Sequence, residues 1–138
     1  MRLKPLYSGT WRVVAVVNDS GVCELEQELL RLAENPKLRA SVLGFRALWG
    51  RIGPTGPRSL GTPLYHRVDQ KEEIYEFIKG NLRLLCFEAD GAVVVCSHVF
   101  RKASQKTPPR EVSRAVSLKR LYQQARARES VEFIDGSS

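Results

Sequence analysis

The 138-residue chain carries 22 Lys or Arg against 15 Asp or Glu, a formal net charge of +7, and 43% of its residues are hydrophobic. That length supports one hydrophobic core, so a single domain over residues 1–138 is expected, and the composition excludes collagenous and intrinsically disordered chains. No apolar run reaches the ~18 residues of a membrane-spanning helix, so the chain is expected to be cytoplasmic and to have no membrane partner.

The opening Met1-Arg2-Leu3-Lys4-Pro5 leads into a strand-like segment and lacks the long apolar core of a secretory signal. Trp11 to Val17 (WRVVAVV) is β-branched and apolar, and Asn18-Asp19-Ser20-Gly21 closes it, which predicts a mostly buried strand and a turn. A helix is expected next. Leu25, Leu29 and Leu32 repeat at helical spacing, with Glu24, Glu26 and Glu28 in the opening turns, where they complement the helix dipole. Asn35-Pro36 offers a cap and a first-turn proline for a second helix striped by Leu38, Val42, Phe45 and Trp49, and the two helices should form a hairpin.

Between Gly53 and Pro63 six of eleven residues are Gly or Pro, which predicts an internal loop. Beyond it, Gly80-Asn81 and Asp90-Gly91 divide three apolar runs, Ile74 to Ile78, Leu82 to Glu88 and Ala92 to Phe100, into an antiparallel meander. Alternation in the middle strand places Leu82, Leu84 and Cys86 on one face and Arg83, Leu85 and Phe87 on the other. Arg83 is thus a charge in an apolar strand, which calls for a partner or a function. Thr107-Pro108 is a start signal for a last helix to about Arg128, with Val112, Ala115, Leu118, Tyr122 and Ala125 as its core stripe. The tail from Ser130 to Ser138 is expected to fray or to add a short strand at Val131 to Ile134.

Charge is concentrated at this end. Residues 101 to 128 hold nine Lys or Arg against the single Glu111, a net +8, whereas the remainder has thirteen against fourteen acidic residues, a net −1. Such a basic end suits a polyanion, because each neutralised phosphate releases counterions; the bland alternative is a solvated helix face. The chain contains no GxGxxG, GxxxxGK[ST], GxSxG or HExxH pattern, so no cofactor or metal is expected. Cys23, Cys86 and Cys96 lack zinc spacing and read as small buried hydrophobes, the last two able to lie opposite each other on paired strands. Of the two histidines, His66 falls in a loop region, and His98 in the last strand reads as a satisfied strand residue before it reads as a proton carrier. What remains is a cluster of cations, Arg83, Arg101, Lys102 and Lys106, beside a helix start, able to hold an RNA backbone.

These residues carry a resemblance. The stretch from Ile74 to Ala115 resembles the core of HigB-like toxins of the RelE/ParE superfamily, including phage-borne relatives. The matching parts are Tyr75-Glu76, Arg83 with Leu84, Leu85 and Phe87, His98 to Lys102, and Gln105-Lys106-Thr107-Pro108. The resemblance implies an α/β fold of one strand, two helices, a three-stranded antiparallel meander and a final helix. It also implies a toxin that cleaves mRNA on the ribosome and a helix-turn-helix antitoxin encoded nearby. Carried onto this chain, Arg83, Arg101 and Lys102 are the expected catalytic cations, and Lys106, Arg110 and Arg114 the RNA-binding ones. His98 and Tyr122 are the candidates for proton transfer. The chain departs from the pattern at Ile78, where relatives often carry Arg, in its longer loop before the meander, and at Ala103. The alternatives are a noncatalytic nucleic-acid- or partner-binding protein of the same fold and, on the ParE side, topoisomerase inhibition, which the Q-K-T-P segment fits less well.

Overall fold

The computed structural model describes residues 1–134. Among them are three helices and a seven-stranded mixed sheet, an α/β arrangement. The strands are β1 (Arg2–Ser8), β2 (Arg12–Val17), β3 (Tyr65–Asp69), β4 (Ile74–Lys79), β5 (Leu82–Ala89), β6 (Val93–Arg101) and β7 (Glu132–Phe133); the helices are α1 (Glu24–Ala33), α2 (Arg39–Gly50) and α3 (Pro109–Ala127). The sheet order is β3-β4-β5-β6-β2-β1-β7, with β2 parallel to β6 and β1 parallel to β7.

Both faces of the sheet are covered, which is why its central strands read as continuous apolar runs. Val13, Ala15, Leu84, Cys86 and Cys96 pack with Leu25, Phe45, Leu48 and Trp49 on the side of α1 and α2. Val14, Leu85, Phe87 and Val95 pack with Ala115 and Tyr122 of α3 on the other. The expected alternation in β5 is observed, with Leu82, Leu84 and Cys86 in the first layer and Leu85 and Phe87 in the second.

The order contains the expected strand, helix pair, meander and helix; β3 is an addition to it, while the strand-like opening becomes β1 and the short tail strand β7. The N-terminal strand is a hairpin, because β1 pairs with β2 despite Pro5; the register shifts between Pro5 and Tyr7, where a residue without an N–H interrupts the ladder. The meander has four strands, since the segment read as loop before Ile74 pairs as β3 with β4. The second helix begins a turn later than its Asn35-Pro36 signal: Asn35 Oδ1 accepts from the Lys37 N–H and its carbonyl from the Leu38 and Arg39 N–H groups, which makes a turn first. The Gly/Pro loop holds a single 3-10 turn at Pro57–Leu60. The short tail strand forms as β7, while fraying beyond Ile134 lies outside the described residues.

One irregularity positions a functional group. In the β5–β6 ladder Leu85 faces His98 and Cys86 faces Cys96, so Ser97 is an extra residue, a β-bulge. Without the shift His98 would share the face of Cys96, toward α1. The bulge turns it onto the α3 face instead.

Candidate functional site

Cross-strand register assembles a row of polar groups on the α3 face. His66 of β3 lies opposite Glu76 of β4, Glu76 opposite Leu85 of β5, and Leu85 opposite His98 of β6. In the next row Arg83 sits between Ile78 and Phe100, diagonal to Glu76.

Glu76 is 3% exposed, so its carboxylate needs partners, and three converge on it. The Thr107 hydroxyl donates to Oε1 at 2.7 Å, His66 Nε2 stands 3.1 Å from Oε2, and Arg83 Nε stands 3.5 Å from the same oxygen. Thr107 is therefore not the expected side-chain cap of α3: Pro108 occupies the cap position without a side-chain bond, and the threonine hydroxyl ties the helix entry to β4. The other ring nitrogen of His66, Nδ1, is 3.2 Å from the Thr62 carbonyl. Both ring nitrogens thus face oxygen acceptors, and both contacts are hydrogen bonds only if both nitrogens donate.

Arg83, 9% exposed, also donates through Nη1 to the carbonyls of Gly80 and Leu82 at 2.8 and 2.9 Å. Gly80 has φ +55°, a left-handed conformation that glycine adopts without strain and that lets the β4–β5 turn close over the guanidinium. Among the described residues no hydrogen bond engages Arg83 Nη2, the edge left for a ligand.

Glu76, Arg83, Phe100, Lys102, Lys106 and Thr107 line a depression of only about 10 Å³. A base cannot be buried there, so a ligand would lie on the surface. Lys102 and Lys106 are exposed, as are Arg101, Arg110 and Arg114, and none of the five forms an ion pair among the described residues. Of these only the two lysines line the depression: Arg101 lies opposite Leu82, whose side chain packs on the α1–α2 side, so alternation turns it away from the face of Arg83, and Arg114 lines a separate cleft with His98. Lys119 and Arg120, farther along α3, are instead engaged by Glu72. Two solvated lysines beside a guanidinium, continued by the exposed cations of the β6–α3 segment, form a platform for phosphate.

Neither of the two expected proton carriers lines the depression. His98 is 4% exposed; its Nε2 stands 3.1 Å from Glu111 Oε1 and its Nδ1 2.8 Å from Ser97 Oγ. Burial and then the positive charge of Arg114 lower its pKa, against the opposing pull of Glu111, so the ring is neutral. Tyr122 packs on Phe87 with ring centroids 5.5 Å apart. It is thirteen residues into α3, roughly 20 Å along the axis from the helix start. Cys86 and Cys96 do face each other across β5 and β6, and burial raises both thiol pKa values, as expected of inert core cysteines. Among the described residues no group of three His, Cys, Asp or Glu could hold a metal ion, and no helix is long and apolar enough to cross a membrane.

His66 was not legible as a site residue, because Tyr65 to Asp69 reads as a charged loop and the signal lies in its pairing with β4. Glu76 was legible as a strand residue, but not as the hub on which three side chains converge.

No curated protein matches the chain. Residues 44–120 match the family model described as phage derived protein Gp49-like (DUF891). The matched segment is more than half of the chain and holds every residue of the platform, from Glu76 and Arg83 to Arg114, while Tyr122 falls outside it. The chain belongs to the phage-derived Gp49-like family.

Proposed function

We propose that this protein is a toxin of the RelE/HigB-like superfamily that cleaves mRNA on the ribosome and is neutralised by a helix-turn-helix antitoxin. The observation that carries the reading is the pair of exposed, unpaired cations Lys102 and Lys106 lining the Arg83 depression, within a basic segment that also exposes Arg101, Arg110 and Arg114. The Gly80-Asn81 turn, the Lys102 N–H bonded at 2.7 Å to the Asn81 carbonyl, and the Thr107–Glu76 bond all hold this surface in place.

In this reading Arg83 and Lys102 stabilise the charge that grows on phosphorus as a ribose 2′-OH attacks the adjacent phosphate. Lys106, Arg110 and Arg114 hold the flanking backbone. His66 stands nearest to this chemistry of the two histidines, a half-exposed imidazole ordered by Glu76 and the Thr62 carbonyl, and it takes the proton-transfer role in preference to His98 and Tyr122.

Induced expression should arrest growth, with new mRNA ends inside translated codons, and co-expression of a neighbouring helix-turn-helix protein should restore growth. Normal growth with soluble, folded protein would overturn the toxin reading. One observation favours a noncatalytic nucleic-acid-binding protein on the same surface: the Arg83 guanidinium already spends Nε and Nη1 on Glu76 and two carbonyls. Ribosome or RNA binding without any cleavage would select that alternative.

A further inference from the structure

A cleft of about 510 Å³ lies where the pairing of β2 with β6 ends, and it shares no lining residue with the Arg83 depression. Their parallel pairing stops at Ala15 and Cys96, and beyond it the chain leaves β2 for α1 on one face and β6 for α3 on the other. Adjacent parallel strands whose connections depart to opposite faces leave a crevice, the usual position of ligand sites in α/β sheets.

The bulge residue Ser97 and its neighbour His98 line this cleft. Ser97 Oγ is 2.8 Å from His98 Nδ1, and His98 Nε2 is 3.1 Å from Glu111 Oε1. A carboxylate only accepts, so Nε2 carries the ring proton; Nδ1 is then bare and accepts the Ser97 hydroxyl. That is a hydroxyl, a base and a carboxylate that orients the base, in hydrogen-bond contact. The bulge is not needed to aim the rest of the strand. Removing Ser97 would join Cys96 to His98 in an unbroken ladder with each side chain on its present face, so what the extra residue adds is its own hydroxyl beside the imidazole.

We propose that Ser97, His98 and Glu111 form a nucleophilic serine site that hydrolyses small uncharged carboxylic esters, an activity separate from the RNA chemistry. Ser97 Oγ bonds to the ester carbonyl carbon while its proton passes to His98 Nδ1. The carbon–oxygen bond to the alcohol breaks, and the alcohol departs with that proton. Water then attacks the acyl-serine and gives a proton to Nδ1; the acyl–Oγ bond breaks, the carboxylic acid leaves, and Ser97 regains its hydrogen from His98. Val16, Leu25 and Leu118 offer an apolar wall for a short acyl chain, Arg114 is the cation available to the developing oxyanion, and Glu24 and Glu28 across the cleft disfavour acidic substrates.

The test uses the full chain and two probes, a fluorophosphonate that labels activated serines and p-nitrophenyl butyrate. The wild type should gain the mass of one label, mapped to Ser97, and hydrolyse the ester above the buffer rate; Ser97→Ala should lose both with its melting temperature preserved. Glu111→Gln can donate to Nε2 and so invert the tautomer, for which a drop of about 10⁴ is the precedent in such triads. Its rate should also lose the pH inflection of His98, whose charged and titratable neighbours are Glu111 and Arg114 on α3 and Glu24 and Glu28 on α1. A merely structural bridge would leave the pH profile of labelling unmoved. An unlabelled, inactive wild type, a label on another residue, or hydrolysis that persists in Ser97→Ala would each overturn the proposal.

Discussion

At Arg83 two demands meet in one guanidinium: it neutralises the buried Glu76 and it lines the surface offered to phosphate. Both are removed by Arg83→Ala, and they are read by different measurements. Glu76 keeps Thr107 and His66, so the loss of unfolding free energy should fall below the roughly 3–5 kcal/mol that breaking an isolated buried pair costs, measurable by urea titration. On the proposed function, mRNA cleavage per folded molecule should fall by about 10² to 10³. Full cleavage in the folded fraction would leave Arg83 a structural residue only. His98 gives a pH signature. Its folded pKa lies below the ordinary 6.5, so between those two values the unfolded chain binds more protons, and stability falls as the pH falls through that window. Above 6.5 the contribution is constant. Thermal melts from pH 7.5 downward should show the wild type losing its advantage over His98→Gln on acidification; a gap independent of pH would contradict the assigned neutral state.

The elements meet at a few side chains, and the segment from β6 to α3 is where most of them act. Thr107→Val removes one of the hydroxyl and cation donors to Glu76 at the helix entry and should cost about 1–3 kcal/mol. It should also quicken amide exchange across residues 102–108, since this bond ties that exposed connection to β4. Deleting Ser97 is the opposite case. A regular ladder replaces the bulge, so the shortened chain should fold with a melting temperature close to wild type, and collapse of the fold would show that the bulge shapes more than one hydroxyl. Periodicity made the helices, β2 and the faces of β5 readable, because those segments bury one continuous stripe or run. It marked the opening only as strand-like, without the bounds of β1, where Pro5 interrupts a ladder that tolerates a register shift, and it could not reveal β3, whose charged residues take their strand form from pairing with β4. Thr107 read as a cap because capping is a local rule, whereas its partner Glu76 is thirty-one residues away.

Across the whole molecule the charge gathered in residues 101 to 128 becomes a surface because α3 starts beside the β4–β5 turn, at the depression floored by Glu76 and Arg83. The cations themselves were legible from their count along the chain; that Arg101, Lys102, Lys106, Arg110 and Arg114 stay free of carboxylates, while Arg120 pairs with Glu72 and Lys119 donates to the Glu72 backbone carbonyl, required three dimensions. If all five engage phosphates of a single strand, the logarithm of the binding constant should fall with the logarithm of salt concentration at a slope of about −3.5. A flat dependence would remove the platform from the interface. The most direct measurement is primer extension on mRNA engaged by translating ribosomes, with purified wild type beside Lys102→Ala/Lys106→Ala. The account predicts new 5′ ends with the wild type and their loss in the double variant at unchanged melting temperature. Cleavage undiminished by the two substitutions, or no cleavage from a wild type that still binds ribosomes, would contradict it.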